Sequence, residues 1–195
     1  MPDSTQPAPQ TAANDFGLDG FVFVEFTGPD PAAMVNQLEV LGFTRTHTSP
    51  RGVARMKQGD VTFLVHTDPK GHAAAFAKAH GPSASGMAFR VSDAKAAYDN
   101  AIAKGAHPAE SVEGGALDQS ALAGIGGSLL YLVDGETDAL WAGWDEVPGW
   151  REAEKTNSVG LYLLDHLTHN VRRGQMRTWS GFYGDVFGFQ EQKYF

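Results

Sequence analysis

The chain has 195 residues, of which 42% are hydrophobic, so it can bury a sizeable core and is not disordered overall. It contains no cysteine, which excludes disulfides, thiolate metal sites and a cysteine nucleophile, and is typical of a cytoplasmic protein. Fifteen basic and 23 acidic residues give a formal net charge of −8 without a basic cluster or a long apolar run. We therefore expect no nucleic-acid partner, no membrane span and no signal peptide.

Residues 1–19 are expected to be a disordered tail without function. The stretch up to Asn14 is rich in Pro, Gln, Ala and Thr and has almost no large apolar side chains. Such a composition buries too little apolar surface to offset the conformational entropy lost on ordering.

A strand, a helix and three more strands are predicted after the tail. In order, they are a strand at 20–27, a helix with Asp30 as N-cap and Gly42 at its end, and strands at 43–46, 53–57 and 60–66. The last two strands are joined by Gln58-Gly59 and predict a hairpin, which completes a βαβββ module.

The same order of elements begins again after a short Ala-rich helix at 73–80. The second set comprises a strand at 86–91, a helix with Ser92 as N-cap and Gly105 at its end, and a last strand at 128–133. Residues 108–127 must hold the remaining strands, although they alternate poorly. The sequence therefore predicts an α+β fold of tandem βαβββ modules, with residues 20–135 forming one domain.

Residues 136–158 are predicted to link this domain to another. Trp141, Trp144 and Trp150 stand there among charged residues, and we expect them to pack against a neighbouring domain. Residues 159–195 are then expected to begin a second domain.

The segment 161–171, Leu-Tyr-Leu-Leu-Asp-His-Leu-Thr-His-Asn-Val, is predicted to form a strand, because apolar, aromatic and β-branched residues crowd into it. Side chains alternate along a strand, so His166 is expected to face one side and His169 the other. A histidine beside Thr168 and Asn170 suits a partly polar cavity.

A helix is predicted over 176–187, because Met176, Trp179, Tyr183 and Val186 recur at helical spacing. Gly188 is placed to end it in a left-handed cap. With no sheet to cover its apolar face, we expect the last 35 residues to be poorly ordered or prone to association.

The motif Asp-His-Leu-Thr-His-Asn-Val, followed by Trp-Ser-Gly-Phe-Tyr-x-x-Val-Phe-Gly-Phe, resembles the 4-hydroxyphenylpyruvate dioxygenase family of the vicinal oxygen chelate superfamily. The resemblance implies an Fe(II) enzyme that converts 4-hydroxyphenylpyruvate, a 2-oxo acid, and O2 into homogentisate and CO2 in tyrosine and phenylalanine catabolism. It implies that His166 is the first of three iron ligands and that His169 is not a ligand. Full-length members are expected to form homo-oligomers.

The resemblance also implies that the chain is an N-terminal fragment whose third module is incomplete. The other two iron ligands and the main substrate contacts of the family would lie downstream, so we expect no catalytic residue within this chain and no activity from it alone. Hydroxymandelate synthase, which uses the same substrate and iron site, and a non-catalytic binding or resistance protein of the superfamily stay open as alternatives.

Alignment of the modules places Glu25 where His166 stands in the third. Glu25 could be a carboxylate ligand, but the matching strand of the second module begins Ser85-Gly86-Met87 and offers no ligand. We therefore expect a degenerate domain in which Glu25 is a partnered structural carboxylate. The remaining histidines lack ligand spacing and are expected to be exposed or hydrogen-bonded; they are His66, His72, His80 and His107.

Overall fold

Eight strands form one open, mixed sheet in the computed structural model, which describes residue 14, residues 16–135 and residues 137–192. The strands are β1 (Phe21–Thr27), β2 (Thr44–Thr48), β3 (Val53–Gln58), β4 (Val61–His66), β5 (Ser83–Arg90), β6 (Leu122–Ala123), β7 (Leu129–Val133) and β8 (Asp145–Glu146). The helices are α1 (Pro31–Val40), α2 (Gly71–His80), α3 (Ala94–Ala103), α4 (Trp150–Asn157) and α5 (Met176–Phe187). None of the described helices is long and apolar enough to cross a membrane.

Two modules with the same strand order build the sheet. In the first, β1 pairs in parallel with β4, and β3 and β2 follow in antiparallel order. In the second, β5 pairs in parallel with β7, and β6 follows. The modules meet where β1 and β5 pair antiparallel, giving the order β6-β7-β5-β1-β4-β3-β2-β8. The predicted tandem βαβββ fold is therefore confirmed, with one strand of the second module reduced to a single bridge between Pro108 and Leu122.

The sheet buries residues on both faces. Its inner face, which carries Phe23, Leu64 and Tyr131, is closed by Trp141 and by residues 116–121. Its outer face is covered near β3 and β4 by α1, and near β5 and β7 by α3 and α5. Charged and polar side chains on the inner face therefore lie inside the protein.

The helix ends agree with the sequence except at the start of α3. Asp30 caps α1 by accepting a 3.0 Å hydrogen bond from the Ala33 amide, as predicted. Gly188 ends α5 with φ 72°, also as predicted. Ser92 was the wrong N-cap for α3, because Asp93 accepts the 2.8 Å hydrogen bond from the Ala96 amide. Serine and aspartate are comparable N-cap residues, so the sequence alone does not decide between these two neighbours.

The predicted tail at 1–19 ends earlier than expected. Most of it lies outside the described residues, but Phe16 is buried and its ring centroid lies 5.4 Å from that of Phe187. The Asp19 amide also donates to the Arg90 carbonyl. Residues 16–19 therefore pack on the domain, because one large aromatic side chain supplies the apolar surface that the preceding residues lack.

The predicted linker at 136–158 is also built into this domain over its described part. Strand β8 pairs with β2, and Trp141 is buried on the inner face rather than against another domain. Helix α4 packs on β2, where Glu154 accepts a 2.6 Å hydrogen bond from Lys57.

The predicted strand at 161–171 is not present: the segment has no regular structure. A strand needs a neighbour that completes its backbone hydrogen bonds. Here the Asp60 amide donates to the Tyr162 carbonyl, and the Gln58 side chain accepts from the amides of Val159 and Leu161. The chain passes so close to Gly59 that a Cβ there would lie 2.7 Å from the Leu161 carbonyl oxygen.

Helix α5 matches the prediction and has a partner. Val186 and Phe187 are buried with Phe89 and α3 in the outer-face core, and Phe182 and Tyr183 pack beside them. The expectation of a poorly ordered C-terminal segment is therefore wrong for this helix, because the second module supplies the missing apolar surface.

Candidate functional site

His166, the predicted metal ligand, lies on the exposed part of the segment between the sheet and α5. Its side chain is 76% exposed, and its Nδ1 lies 2.8 Å from Oδ2 of Asp165. No described residue hydrogen-bonds to its Nε2. A carboxylate that accepts from one ring nitrogen fixes the tautomer and leaves the other nitrogen with a free lone pair.

His169 lies next to Tyr183 of α5, with the two ring centroids 5.8 Å apart. Its Nδ1 is 3.4 Å from the hydroxyl of Tyr183. Burial lowers the pKa of His169 and raises the pKa of Tyr183, so both groups are held neutral near pH 7. His166 and His169 therefore differ in environment, but the alternation of their side chains between two faces of a strand stays a prediction, because no strand forms here.

A cavity of about 310 Å³ lies between β5 and α5, next to His169. Aromatic and aliphatic side chains make up most of its wall; they include Phe21, Met87, Phe89, Leu167, Trp179 and Tyr183. His166 is not among them. The cavity is therefore an apolar space beside His169, and the predicted metal ligand His166 does not line it.

A second polar group lies deep in the inner face. Glu25 and His66 are 0% and 2% exposed, and Nε2 of His66 donates to Oε1 of Glu25 at 2.6 Å. The Ser85 hydroxyl lies 3.3 Å from the same oxygen. The prediction that Glu25 is a partnered structural carboxylate is confirmed by this contact.

The two modules hold this group at equivalent positions. Glu25 pairs with Leu64 two residues before His66, and Gly86 pairs with Leu129 two residues before Tyr131. Glu25 and Gly86 are themselves cross-strand partners. A Cβ on Gly86 would lie 3.0 Å from Oε2 of Glu25, so the glycine makes room for the carboxylate.

Tyr131 completes the buried group. Burial and the negative charge of Glu25 raise the pKa of its hydroxyl. Neither that hydroxyl nor Oε2 of Glu25 has a hydrogen-bond partner among the described residues. The sequence contains one signal for this cluster: Glu25 and His66 each stand two residues after a large apolar residue, Phe23 or Leu64, and so lie on the same face of their strand as that residue. The contact between two residues 41 positions apart cannot be predicted from the sequence.

The other histidines are exposed or hydrogen-bonded, as predicted. Nε2 of His72 contacts the Gly127 carbonyl at 2.8 Å, and Nε2 of His80 contacts the Gly126 carbonyl at 3.0 Å. His107 is exposed. The carbonyls of Gly126 and Gly127 are thus held against α2 by two of its side chains.

Comparison with known proteins identifies this arrangement of modules. The family model described as hydroxyphenylpyruvate dioxygenase, HPPD, N-terminal matches residues 12–142. The chain belongs to the hydroxyphenylpyruvate dioxygenase family. The 4-hydroxyphenylpyruvate dioxygenase of Pseudomonas aeruginosa is 45% identical over 191 residues, which cover 93% of this chain and 52% of the relative. That of Legionella pneumophila is 39% identical over 183 residues, which cover 93% and 51%.

Solved structures agree with the family. A xylose isomerase-like TIM barrel/4-hydroxyphenylpyruvate dioxygenase fusion protein superposes with a TM-score of 0.79 at 29% identity, covering 94% of this chain and 29% of that one. A variant of 4-hydroxymandelate synthase from Streptomyces coelicolor gives 0.68 at 21% identity, covering 90% and 54%, and shares the fold. The chain spans about half the length of the curated relatives it matches.

The hydroxyphenylpyruvate dioxygenase family implies Fe(II), but the described residues do not form a site for it. No group of three His, Asp or Glu side chains in the described part of the chain is placed to hold a metal ion. The Glu25–His66 contact of 2.6 Å is a hydrogen bond, and two metal ligands do not approach each other so closely. His166 offers one free imidazole nitrogen, which is one ligand of the required type.

Proposed function

We propose that this chain provides the N-terminal half of a 4-hydroxyphenylpyruvate dioxygenase, which forms homogentisate and CO2 from 4-hydroxyphenylpyruvate and O2. The observation that carries the proposal is the 45% identity to the Pseudomonas aeruginosa enzyme across 93% of this chain. When bound, Fe(II) held by two imidazoles and a carboxylate supplies open positions for the 2-oxo acid and for O2. The described residues provide one of those imidazoles, and their own contribution is to hold it in place.

Within this function, His166 is proposed as an iron ligand through Nε2. Asp165 accepts from Nδ1 and so holds the ring in the tautomer that a ligand needs. The segment is fixed on both sides of His166, by Gln58 before it and by the buried end of α5 after it. These anchors belong to the two N-terminal modules, whose proposed role is to position the ligand-bearing segment rather than to react.

The compartment and the assembly are part of the same proposal. The absence of cysteine supports a cytoplasmic enzyme, and the net charge of −8 supports a small-molecule substrate rather than nucleic acid. The full-length enzyme is proposed to be a homo-oligomer, as expected from the family resemblance.

The test is a fusion of this chain to the remaining half of the Pseudomonas aeruginosa enzyme, measured by O2 uptake and product analysis with Fe(II) and 4-hydroxyphenylpyruvate. We expect the fusion to form homogentisate. This chain alone should form no more homogentisate than Fe(II) free in solution does. His166→Ala in the fusion should abolish activity and iron binding, while the matched His169→Ala should retain iron.

Two outcomes would contradict the proposal in different ways. Absence of homogentisate from the fusion, when the unsubstituted Pseudomonas aeruginosa enzyme forms it under the same conditions, would mean that this chain cannot serve as the N-terminal half of a dioxygenase. Equal iron content in the His166→Ala and unsubstituted fusions, measured by metal analysis after desalting, would remove His166 from the ligand set.

A further inference from the structure

Arg55 is a buried cation without a carboxylate partner among the described residues. It lies on the inner face of β3, is 3% exposed, and makes no ion pair with a described residue. Its one side-chain hydrogen bond is a long contact of 3.4 Å from Nη1 to Nδ1 of His47. An uncompensated charge in a protein interior is strongly unfavourable, so such an arginine needs a counter-ion.

The neighbouring carboxylates are already engaged. Glu146 accepts from the Trp150 indole at 2.6 Å and from Arg151, and Glu154 accepts from Lys57 at 2.6 Å. Asp138, whose charge opposes the burial effect on Arg55, is exposed and forms no ion pair or hydrogen bond with the described residues. The described residues thus offer the guanidinium no carboxylate, only the long contact with Nδ1 of His47.

Trp141 adds a second unpartnered donor at the same place. The Arg55 guanidinium carbon lies 4.7 Å from the centroid of the Trp141 ring. Nε of Arg55 and Nε1 of Trp141 are both buried without a hydrogen-bond partner in the described part of the chain. Buried donors are nearly always paired, so two orphans within one stacked pair indicate an acceptor supplied from outside the chain.

His47 fits this arrangement. Its pKa is lowered by burial and then by the charge of Arg55, so a neutral ring accepts from the guanidinium. Burial likewise lowers the pKa of Arg55 to about 10, which leaves it charged at pH 7. The Arg55 guanidinium is therefore positively charged, and no described carboxylate is in contact with it.

We propose that Arg55 and Trp141 form a binding site for a small oxyanion, a carboxylate or a phosphate, on the inner face of the first module. The planar guanidinium suits two parallel hydrogen bonds to two oxygens, and the indole N–H suits a third acceptor. The site is independent of the proposed iron chemistry, because it lies on β3 and on the turn Thr137–Trp141 and uses none of the residues near His166.

The experiment is an anion titration of the full chain, labelled with ¹⁵N and followed by NMR at constant ionic strength. Sodium phosphate and sodium benzoate are the two arms, and sodium chloride is the reference. The Arg55 Nε–H and Trp141 Nε1–H signals should shift saturably in at least one arm, which also identifies the class of oxyanion. Absence of a saturable shift in both arms would overturn the proposal.

Variants separate the two donors from general electrostatics. Trp141→Phe keeps the ring and removes the N–H, while Trp144→Phe alters a neighbouring ring and serves as its control. Arg55→Met should weaken binding by about tenfold or more, and Arg51→Met, which removes an exposed arginine paired with Asp118, should not. Arg55→Lys, which keeps the charge but cannot make the two parallel hydrogen bonds of a guanidinium, is the second variant if Arg55→Met does not fold.

Asp138 provides the remaining comparison. Asp138→Asn removes an exposed carboxylate whose charge acts on Arg55, so it should tighten anion binding. Equal affinities in the Arg55 variants and the unsubstituted chain, or weaker binding in Asp138→Asn, would contradict the assignment.

Discussion

His66 and His166 follow similar sequence patterns but differ in secondary structure and in burial. Each follows a run of apolar residues that is typical of a strand, yet His66 is 2% exposed and paired with Glu25, whereas His166 is 76% exposed beside Asp165. Strand β4 has β1 and β3 as neighbours, so its backbone is paired and its side chains are sorted between two faces. The segment around His166 has no such neighbours among the described residues. The environment of a residue in a strand-like segment thus depends on whether distant parts of the chain pair with that segment, and not on the local pattern alone.

The largest expected effect comes from breaking the buried pair. His66→Ala leaves the Glu25 carboxylate without its 2.6 Å donor and opens a cavity, so we expect the free energy of unfolding to fall by about 3–5 kcal/mol. Urea denaturation followed by circular dichroism measures it. Glu25→Gln, which keeps an acceptor for His66, should cost clearly less. A loss below about 1 kcal/mol for His66→Ala would mean that the pair is not needed for the inner face.

The second effect tests whether α5 belongs to the second module. Phe187→Ala removes a buried ring that contacts Phe16 and Phe89, and should lower the free energy of unfolding by about 3 kcal/mol. Trp179 fluorescence and hydrogen exchange of α5 report whether the helix loosens first. Met176→Ala, at the exposed start of α5, is the matched control. Identical exchange in both variants would show that the helix does not depend on this contact.

A smaller effect is expected from His47, whose folded-state pKa is lowered by burial and by Arg55. Above pH 6.5, both folded and unfolded chains hold a neutral ring and the stability is complete. As the pH falls through 6.5, the unfolded chain takes up the proton first, so stability declines until the pH reaches the lowered folded pKa. His47→Gln should flatten this slope in thermal melts between about pH 7 and pH 5. An unchanged slope would exclude His47 as its source.

The smallest effect completes the comparison of the two histidines. His166→Ala should change the free energy of unfolding by no more than about 0.5 kcal/mol, because the side chain is exposed and its one contact is with an exposed neighbour. Urea denaturation alongside His66→Ala gives the contrast directly. A loss above about 2 kcal/mol would indicate that the segment is packed more tightly than the structure shows.

The local elements were predictable from the sequence, and so was the repeat. Asp30 and Gly188 predicted the helix ends. Alternating apolar residues bounded by turn residues predicted β1 to β5 and β7. Both kinds of signal act over only a few residues, so the local sequence contains them. The family motif pointed to His166 as a ligand, a role that stays a prediction.

What could not be predicted depends on contacts between distant residues. The Glu25–His66 pair joins strands 41 positions apart, and the Arg55–Trp141 stack joins β3 to a turn beyond the second module. The strand expected at 161–171 failed for the same reason, since apolar composition cannot show whether a neighbouring strand is available. Burial of Phe16 likewise required knowing where α5 would lie.

The shortness of β6 and β8 has a consequence for how copies of the protein meet. Both strands at the ends of the sheet have two residues, so each offers only about 7 Å of strand as a template for another chain. The β8 edge carries Asp145 and Glu146 and is followed closely by Pro148, and like charges would face each other if two such edges met. Growth by strand addition, the route to fibrils and swapped sheets, is therefore disfavoured at these edges. The described part of this chain would therefore meet another copy through its helices and loops rather than through these edges.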